Sequence, residues 1–415
     1  MIKNILGSYV LILGLFLLSI SSVLSQGGSN YSVFGIGDIN GATGASYDAI
    51  GGYGIAMPIN NAINLSNPAM WSFNKDTRIQ FGYRFNQQFA SDEQNSILQN
   101  NGQMDNALFL FTIDSSRGIG LSFGLYSYSN HNYGISSPLS AEIEGDVVSG
   151  KSIFTGRGGI STAYVGLATK ITDWWSVGAM VNANFGAAEE QVSQVFNQTY
   201  AFTSRSLKRD SYSGSHFKIG TSISPIHNLT IGAFFNTSSE MSVDETSILP
   251  TIFNNDTTIK GTNSFTLPST IGLGASYLAG KFLFGADFVM QDFSDFTYKN
   301  RNNVTFKNST AIALGLRRLG STSWSSDYAD KITYSFGIGR RDLYYSINGN
   351  NISEMYSTLG MQFPLPEGAI IDASVMIGNR GGANNALVNE WFSRFNINIS
   401  IGEIWFQPFK REFDM

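Results

Sequence analysis

The side chains able to do covalent chemistry are few and scattered. His131, His216 and His227 are the only histidines, so they alone could serve a serine or water nucleophile as imidazole bases, and no partner set gathers around them. Gly120-Leu121-Ser122-Phe123-Gly124 fits the expression G-x-S-x-G. That motif works only where a strand turns sharply into a helix, and Ser122 sits inside a strand-like alternation. No catalytic residue is assigned, and the chain is expected not to be an enzyme. Without cysteine the usual tetrahedral metal set does not form, and no G-x-x-x-x-G-K-[ST] phosphate loop occurs. Neither a metal nor a cofactor is expected. Glu142, Glu144 and Asp146 suit a solvated loop face better than a calcium site.

A second set of residues points to binding. By strand parity Tyr126, Tyr128, Met180, Phe234, Leu283, Val289 and Met376 share an inner face with the cations Arg78, Arg84, Lys218, Lys281, Arg317 and Arg394. An apolar surface dotted with cations suits an apolar molecule with an anionic head, because arginine holds a carboxylate well. A water-filled porin would favour rings of charge at its constriction. The blander readings are that the apolar groups pack whatever fills the interior, and that each cation neutralises a nearby acid.

The elements that must carry these residues are strands. From Asp76 to Phe406 the chain reads as about fourteen short segments of alternating apolar and polar residues, whose side chains leave opposite faces in turn. In the first, Ile79, Phe81, Tyr83 and Phe85 oppose Arg78, Gln80, Gly82 and Arg84. The parity returns in Trp175/Val177/Ala179/Val181, Phe217/Ile219/Thr221/Ile223, Ile271/Leu273/Ala275/Tyr277 and Phe395/Ile397/Ile399/Ile401. A soluble sandwich alternates too, so three other features decide for a transmembrane barrel. An uncharged run from Ile5 to Leu24 follows Lys3, with small residues before Gln26, which predicts a signal peptide over 1–25 and an exported chain. The connections alternate, with long outer ones near 91–103, 135–155, 187–211, 240–266, 298–309, 342–355 and 380–390 and, apart from Gly320 to Asp330, tight inner ones. Trp174, Trp175, Trp391 and Trp405 fall at strand ends, where interfacial girdles are expected.

Composition is consistent with this. Charged residues make up 14% of the chain, well below the usual quarter or so, and 44 glycines with many Asn and Ser supply turns and a polar interior. A net charge of -5 without a basic tract argues against nucleic acid as a partner. The expected fold class is all-β: a transmembrane antiparallel barrel over 76–406, with residues 26–75 as an N-terminal plug and 407–415 as a tail. A barrel this wide needs filling or leaves a channel, and the glycine- and alanine-rich segment before it is the economical filling.

At this point the sequence resembles a known family. The stretch Gly37 to Ala69, ending in Asn67-Pro68-Ala69 just ahead of the first strand, looks like the N-terminal hatch of the FadL/TodX-type outer-membrane transporters of long-chain fatty acids and hydrocarbons. Leu267-Pro268-Ser269, Ile271-Gly272-Leu273-Gly274, Gly285-Ala286-Asp287 and Asp292-Phe293 resemble a hairpin common in that family. Arg380-Gly381-Gly382, Glu390-Trp391-Phe392 and Ile404-Trp405-Phe406 are similar to FadL-related proteins of the Bacteroidetes type, although the chain runs past Phe406, leaving an assembly signal to Phe409, Phe413 or an internal segment.

The resemblance implies a fourteen-stranded barrel plugged by its own N-terminus in the outer membrane of a Gram-negative bacterium. It implies passive uptake of a hydrophobic small molecule, with hatch-gated passage and sideways exit to lipid through a kinked third strand. Here that strand runs from Gly118 to Gly134, and Gly118, Gly120, Gly124 and Asn130-His131-Asn132 are where its pairing would weaken. Candidate lumen contacts are Tyr126, Tyr128, Met180, Phe234, Leu283, Arg78, Arg84 and Lys218. Related barrels also serve as non-transporting partners of secretion machinery, binding a protein at the outer loops; that alternative and a general porin stay open.

Overall fold

A computed structural model describes residues 27–41, 44–91, 96–143, 146–197, 204–250, 256–299, 301–381 and 387–405. The signal peptide expected over 1–25, the expected tail with Phe409 and Phe413, Phe406, Glu144 and Gly382 lie outside the described residues. The alternation becomes fourteen antiparallel strands closed into a barrel. They are β1 (Thr77–Ser91), β2 (Ser96–Asp114), β3 (Ile119–Ser127, resuming as Tyr133–Ile143), β4 (Asp146–Thr172), β5 (Trp175–Phe196), β6 (Ser204–Ile226) and β7 (Leu229–Asn236, then Ser239–Leu249). Next come β8 (Thr257–Leu267, then Thr270–Ala279), β9 (Phe282–Gln291), β10 (Val304–Phe306, then Ser309–Arg318), β11 (Thr333–Ile347), β12 (Asn350–Pro364), β13 (Ala369–Gly381) and β14 (Asn389–Glu403). The ring closes where β1 pairs with β14, from Thr77 opposite Glu403 to Ser91 opposite Asn389.

Strand parity sorts the residues as the alternation predicts. Phe81, Ile219, Leu273, Phe284, Phe336 and Ile399 stand exposed on the outer wall, the apolar band a transmembrane barrel turns to lipid. Inward, Arg78, Gln80, Arg84, Asn182, Asn396 and Asn398 are at most 3% exposed. A water-filled lumen would leave them accessible, so this lumen is packed. Lys281 departs from the inward set, because it sits exposed in the tight turn between β8 and β9.

The outer connections differ from the expected long loops. Strands run past the apolar band and turn back quickly: only residues 144–145 separate β3 from β4, and Asn348-Gly349 alone joins β11 to β12. Both of those residues have positive φ, 50° and 76°, the backbone of a two-residue hairpin turn for which Asn-Gly is preferred. Toward the hairpin tips, as over Thr257–Ser264, both strand faces are exposed, so apolar alternation disappears although pairing continues. Among the outer connections, the one from Gln291 to Val304 is the long irregular link. At the inner end the link from Arg318 to Thr333 is the long one, as expected, and it carries Trp324 exposed.

Residues 27–41 and 44–76 thread through the barrel from its outer half to the start of β1. Ile36, Ile50, Ile55, Met57, Ile63 and Trp71 are fully buried there, so the hatch supplies much of the apolar core that the wall's inner face would otherwise lack.

Candidate functional site: a plugged lumen with two apolar chambers

The hatch fits because the wall opposite it lacks side chains. Asn67 caps the short 3-10 helix Pro68–Phe73, its Oδ1 accepting from the Ala69 amide at 3.0 Å, while its Nδ2 donates to the Ile55 and Thr221 carbonyls, both at 3.0 Å. This corner rests on wall glycines: a Cβ on Gly220 would lie 2.1 Å from Asn67 Oδ1, and one on Gly178 2.5 Å from the Pro68 carbonyl carbon. Gly315 and Gly337 make the same allowance for Ile50 and Gly51 across the lumen. The abundant glycine is therefore partly a fitting surface, at mid-strand positions where it weakens the strand's own preference.

Buried ions tie the hatch down. Arg84 of β1 bridges hatch Asp48 at 2.8 Å and Asp105 of β2 at 2.9 Å. Arg380 of β13 holds hatch Asp38 at 2.7 Å and Glu354 at 2.8 Å, and its Nη1 also donates to Ser29 Oγ at 2.8 Å. Asp287, the acid of the Gly285-Ala286-Asp287 motif, accepts from the Gly54 and Ile55 amides at 2.8 and 3.0 Å. None of these hatch contacts follows from parity, because each joins an irregular segment to a distant strand.

A cavity of about 120 Å³ remains in the lumen, walled by Tyr126, Tyr128, Phe234 and Val289 with Lys218 and Tyr344 at its sides. Lys218 donates to the Leu65 carbonyl at 3.0 Å and lies 5.0 Å from the Phe234 ring centre. Its ammonium has three donors, so others are left for a ligand. A larger outer vestibule of about 540 Å³ lies against Phe34, Tyr133, Ile135, Phe154 and Val192, with Arg301 at its edge. Between the chambers stands an aromatic layer, with Phe34 and Tyr345 centred 5.1 Å apart and Tyr345 and Tyr344 4.9 Å apart.

The third strand breaks beside the lumen cavity. Pairing of β2 with β3 stops at Asn106 opposite Tyr126; above it Ser129 and Asn130 swing inward and pair with hatch residues Ile39 and Asp38. Side-chain amides close the resulting slit. Gln99 spans it by donating to the Gly134 carbonyl at 2.8 Å and accepting from the Gly134 amide at 3.1 Å, while the Gly28 amide donates to the same Gln99 oxygen at 2.8 Å.

Of the sequence candidates, Tyr126, Tyr128, Phe234 and Lys218 converge on the cavity. The others do not. Met180 packs against Ile63, Leu65 and Trp71, and Leu283 against Tyr47, Ile50 and Met57, so both hold the hatch. Arg84 neutralises Asp48 and Asp105, and Arg78 sits at the inner end on Asp76 and Ser400. Gly118, Gly120 and Gly124 are not the break: Gly118 turns the chain with φ of 61°, and the other two lie in a ladder paired on both sides. The break falls from Tyr128 to Asn132, which includes the Asn-His-Asn triplet. Gly120→Ala is accordingly expected to leave thermal stability within about 0.5 kcal/mol, since its nearest neighbour would be 3.4 Å away. Gly124→Ala, aimed at the Ala107 carbonyl at 2.3 Å, is expected to cost at least about 1 kcal/mol in the same melts. Ser122 is buried in the wall, bonded to the Phe109 carbonyl and the Tyr164 hydroxyl, each at 2.8 Å.

Comparison with known proteins gives the family. A family model described as BamG matches residues 1–414. The chain belongs to the BamG family. No curated protein matches it. The solved structure of the toluene transporter TodX of Pseudomonas putida superposes on this BamG-family chain with a TM-score of 0.55 at 12% identity, covering 89% of this chain and 100% of that one. A FadL homologue of Pseudomonas aeruginosa does so with a TM-score of 0.53 at 13% identity, covering 87% and 98%. At such identities the likeness is one of fold, and the fold is that of a FadL-like β-barrel.

Proposed function

We propose that this BamG-family barrel is a passive channel for hydrophobic compounds in the outer membrane of a Gram-negative bacterium, captured in its closed state. The observation that carries the reading is the lumen cavity of about 120 Å³, set between an aromatic layer and a break in the wall. An apolar cavity of roughly 150 Å³ accepts benzene, whereas drug-sized sites run to about 300 Å³ and more. The closed cavity therefore suits a monoaromatic or the head end of a longer molecule, and a fatty acid chain enters only if the aromatic layer or the hatch shifts. With no energy source at the outer membrane the flow is downhill, and exit is sideways through the slit beside Gln99.

Lys218 would hold an acidic head, because a charge-assisted hydrogen bond in a dry site is worth about 1.5–3 kcal/mol. Lys218→Met is expected to weaken binding of decanoate to the purified barrel by roughly tenfold while changing decanol binding less than twofold. Equal losses for both would mean that Lys218 only packs the site, and no binding of either by the native barrel would count against the channel reading.

A second reading has its own support. The lumen is stoppered by the ion-clamped hatch and, above it, by an inward-folded outer loop, which suits a barrel that serves as a partner subunit and presents its tall outer hairpins to another protein. A standing porin fits least, since the described lumen is filled.

A further inference from the structure

The first part of the long outer connection turns its aromatic side chains inward. Its residues Asp292 to Lys299 fold down into the mouth, where Phe293, Phe296 and Tyr298 are buried beneath the rim. They join an aromatic stack, with Phe293 centred 4.5 Å from Tyr344 and Tyr298 4.4 Å from Phe265. This lid is pinned at its last residue. Lys299 pairs with Glu190 of β5 and with Asp210 of β6 at 3.1 Å, and the Tyr298 hydroxyl donates to Asp210 at 2.7 Å.

Two further facts set this lock apart from an ordinary ion cluster. Lys299 has a φ of 52°, a left-handed backbone unfavourable for a non-glycine residue, so the pairs hold the lid in a conformation it would otherwise leave. The Glu190 oxygen that meets Lys299 is also 3.0 Å from His131 Nε2, and His131 lies within the break of β3. An ionised carboxylate only accepts, so His131 donates. Burial disfavours the charge on Glu190, but the His131 hydrogen bond and the Lys299 charge outweigh it and hold its carboxyl well below the usual range.

We infer that Glu190 is a shared latch coupling the outer lid to the kinked third strand, so that loosening either one loosens the other. Its consequence for passage, an outer entrance and a side exit that open together, rests on the channel reading. The coupling itself can be read without any ligand.

The test is hydrogen exchange by mass spectrometry on the full barrel in detergent, following the lid peptide (292–299) and the break peptide (128–134). The native protein is compared with Glu190→Gln, Lys299→Met and His131→Phe, each checked for retained heat-modifiable migration as a folded barrel. Coupling between sites is reciprocal. His131→Phe, altered in the wall, is expected to speed exchange in the lid at least fivefold, Lys299→Met to do the same in the break, and Glu190→Gln to speed both. A His131→Phe barrel with native lid exchange, or a Lys299→Met barrel with a native break, would overturn the coupling, whether or not the barrel transports anything. Because those two variants lie on opposite sides of the latch, loss of one to misfolding leaves the other decisive.

Discussion

Gly220→Val is expected to unseat the hatch. Strand preference alone predicts the opposite sign, since valine is favoured and glycine disfavoured within a strand. Packing overrides it: the first added carbon would lie 2.1 Å from Asn67 Oδ1 and 2.8 Å from the Pro68 ring, far inside contact distance, and the corner has no room to retreat because Gly178 and Gly232 already press on Pro68 and Asn67 from neighbouring strands. Forcing volume into such a site costs about 1–3 kcal/mol. The loss of the Asn67 bonds to Ala69, Ile55 and Thr221 adds to that. Cells carrying the variant should become permeable to large antibiotics normally excluded by the outer membrane, by roughly an order of magnitude in inhibitory concentration if the corner's displacement leaves an aqueous lumen. Gly261→Val, where nothing lies within 4 Å, is the matched control and should be silent. Equal permeability in the two would mean that the Asn-Pro-Ala corner does not secure the plug.

Arg380→Met is expected to free the leading part of the hatch while sparing the barrel. Arg380 is 1% exposed and compensates hatch Asp38 directly, with Glu390 close by, itself bonded to the Ser29 hydroxyl at 2.6 Å and the Asn30 amide at 2.7 Å. Removing one partner of a buried pair costs about 3–5 kcal/mol, because the remaining charge stays buried without its counterion. Glu354 keeps Arg341 at 2.9 Å and Arg394 at 3.4 Å, so the deficit falls on Asp38 and Glu390, and thus on residues 27–41. Exchange of those hatch amides should rise by about a hundredfold or more, the factor equivalent to about 3 kcal/mol, with the temperature of barrel unfolding little changed. Unchanged protection of 27–41 would show that the aromatic packing around Tyr31 and Ile36 suffices without the clamp.

These two sites also mark where the sequence was readable. The barrel was legible because lipid demands apolar groups on one strand face, and Phe81, Ile219 and Ile399 advertise that demand every second residue. Toward the hairpin tips the signal fades for a physical reason: Thr257–Ser264 stays paired with β7, but both of its faces are exposed and alternation no longer separates them. The Asn348-Gly349 turn could have been found there from its residue types alone. Inside, parity placed Phe234 and Lys218 toward the lumen but also Met180 and Leu283, because direction does not say whether a hatch residue waits opposite. The pairing of Asp38 with Arg380 joins an irregular segment to a strand near the other end of the chain, and no local pattern encodes it. The wall glycines did carry a signal. Gly178, Gly220 and Gly232 occupy inward positions in the middle of strands, where glycine is unfavourable unless another backbone approaches.

Native mass spectrometry of the detergent-purified barrel tests the central claim most directly. The channel account predicts a small apolar molecule retained in about one-to-one ratio with the chain and lost when Phe234→Trp fills the cavity. A barrel that is always empty, and released instead as a stoichiometric complex with a second protein, would contradict it.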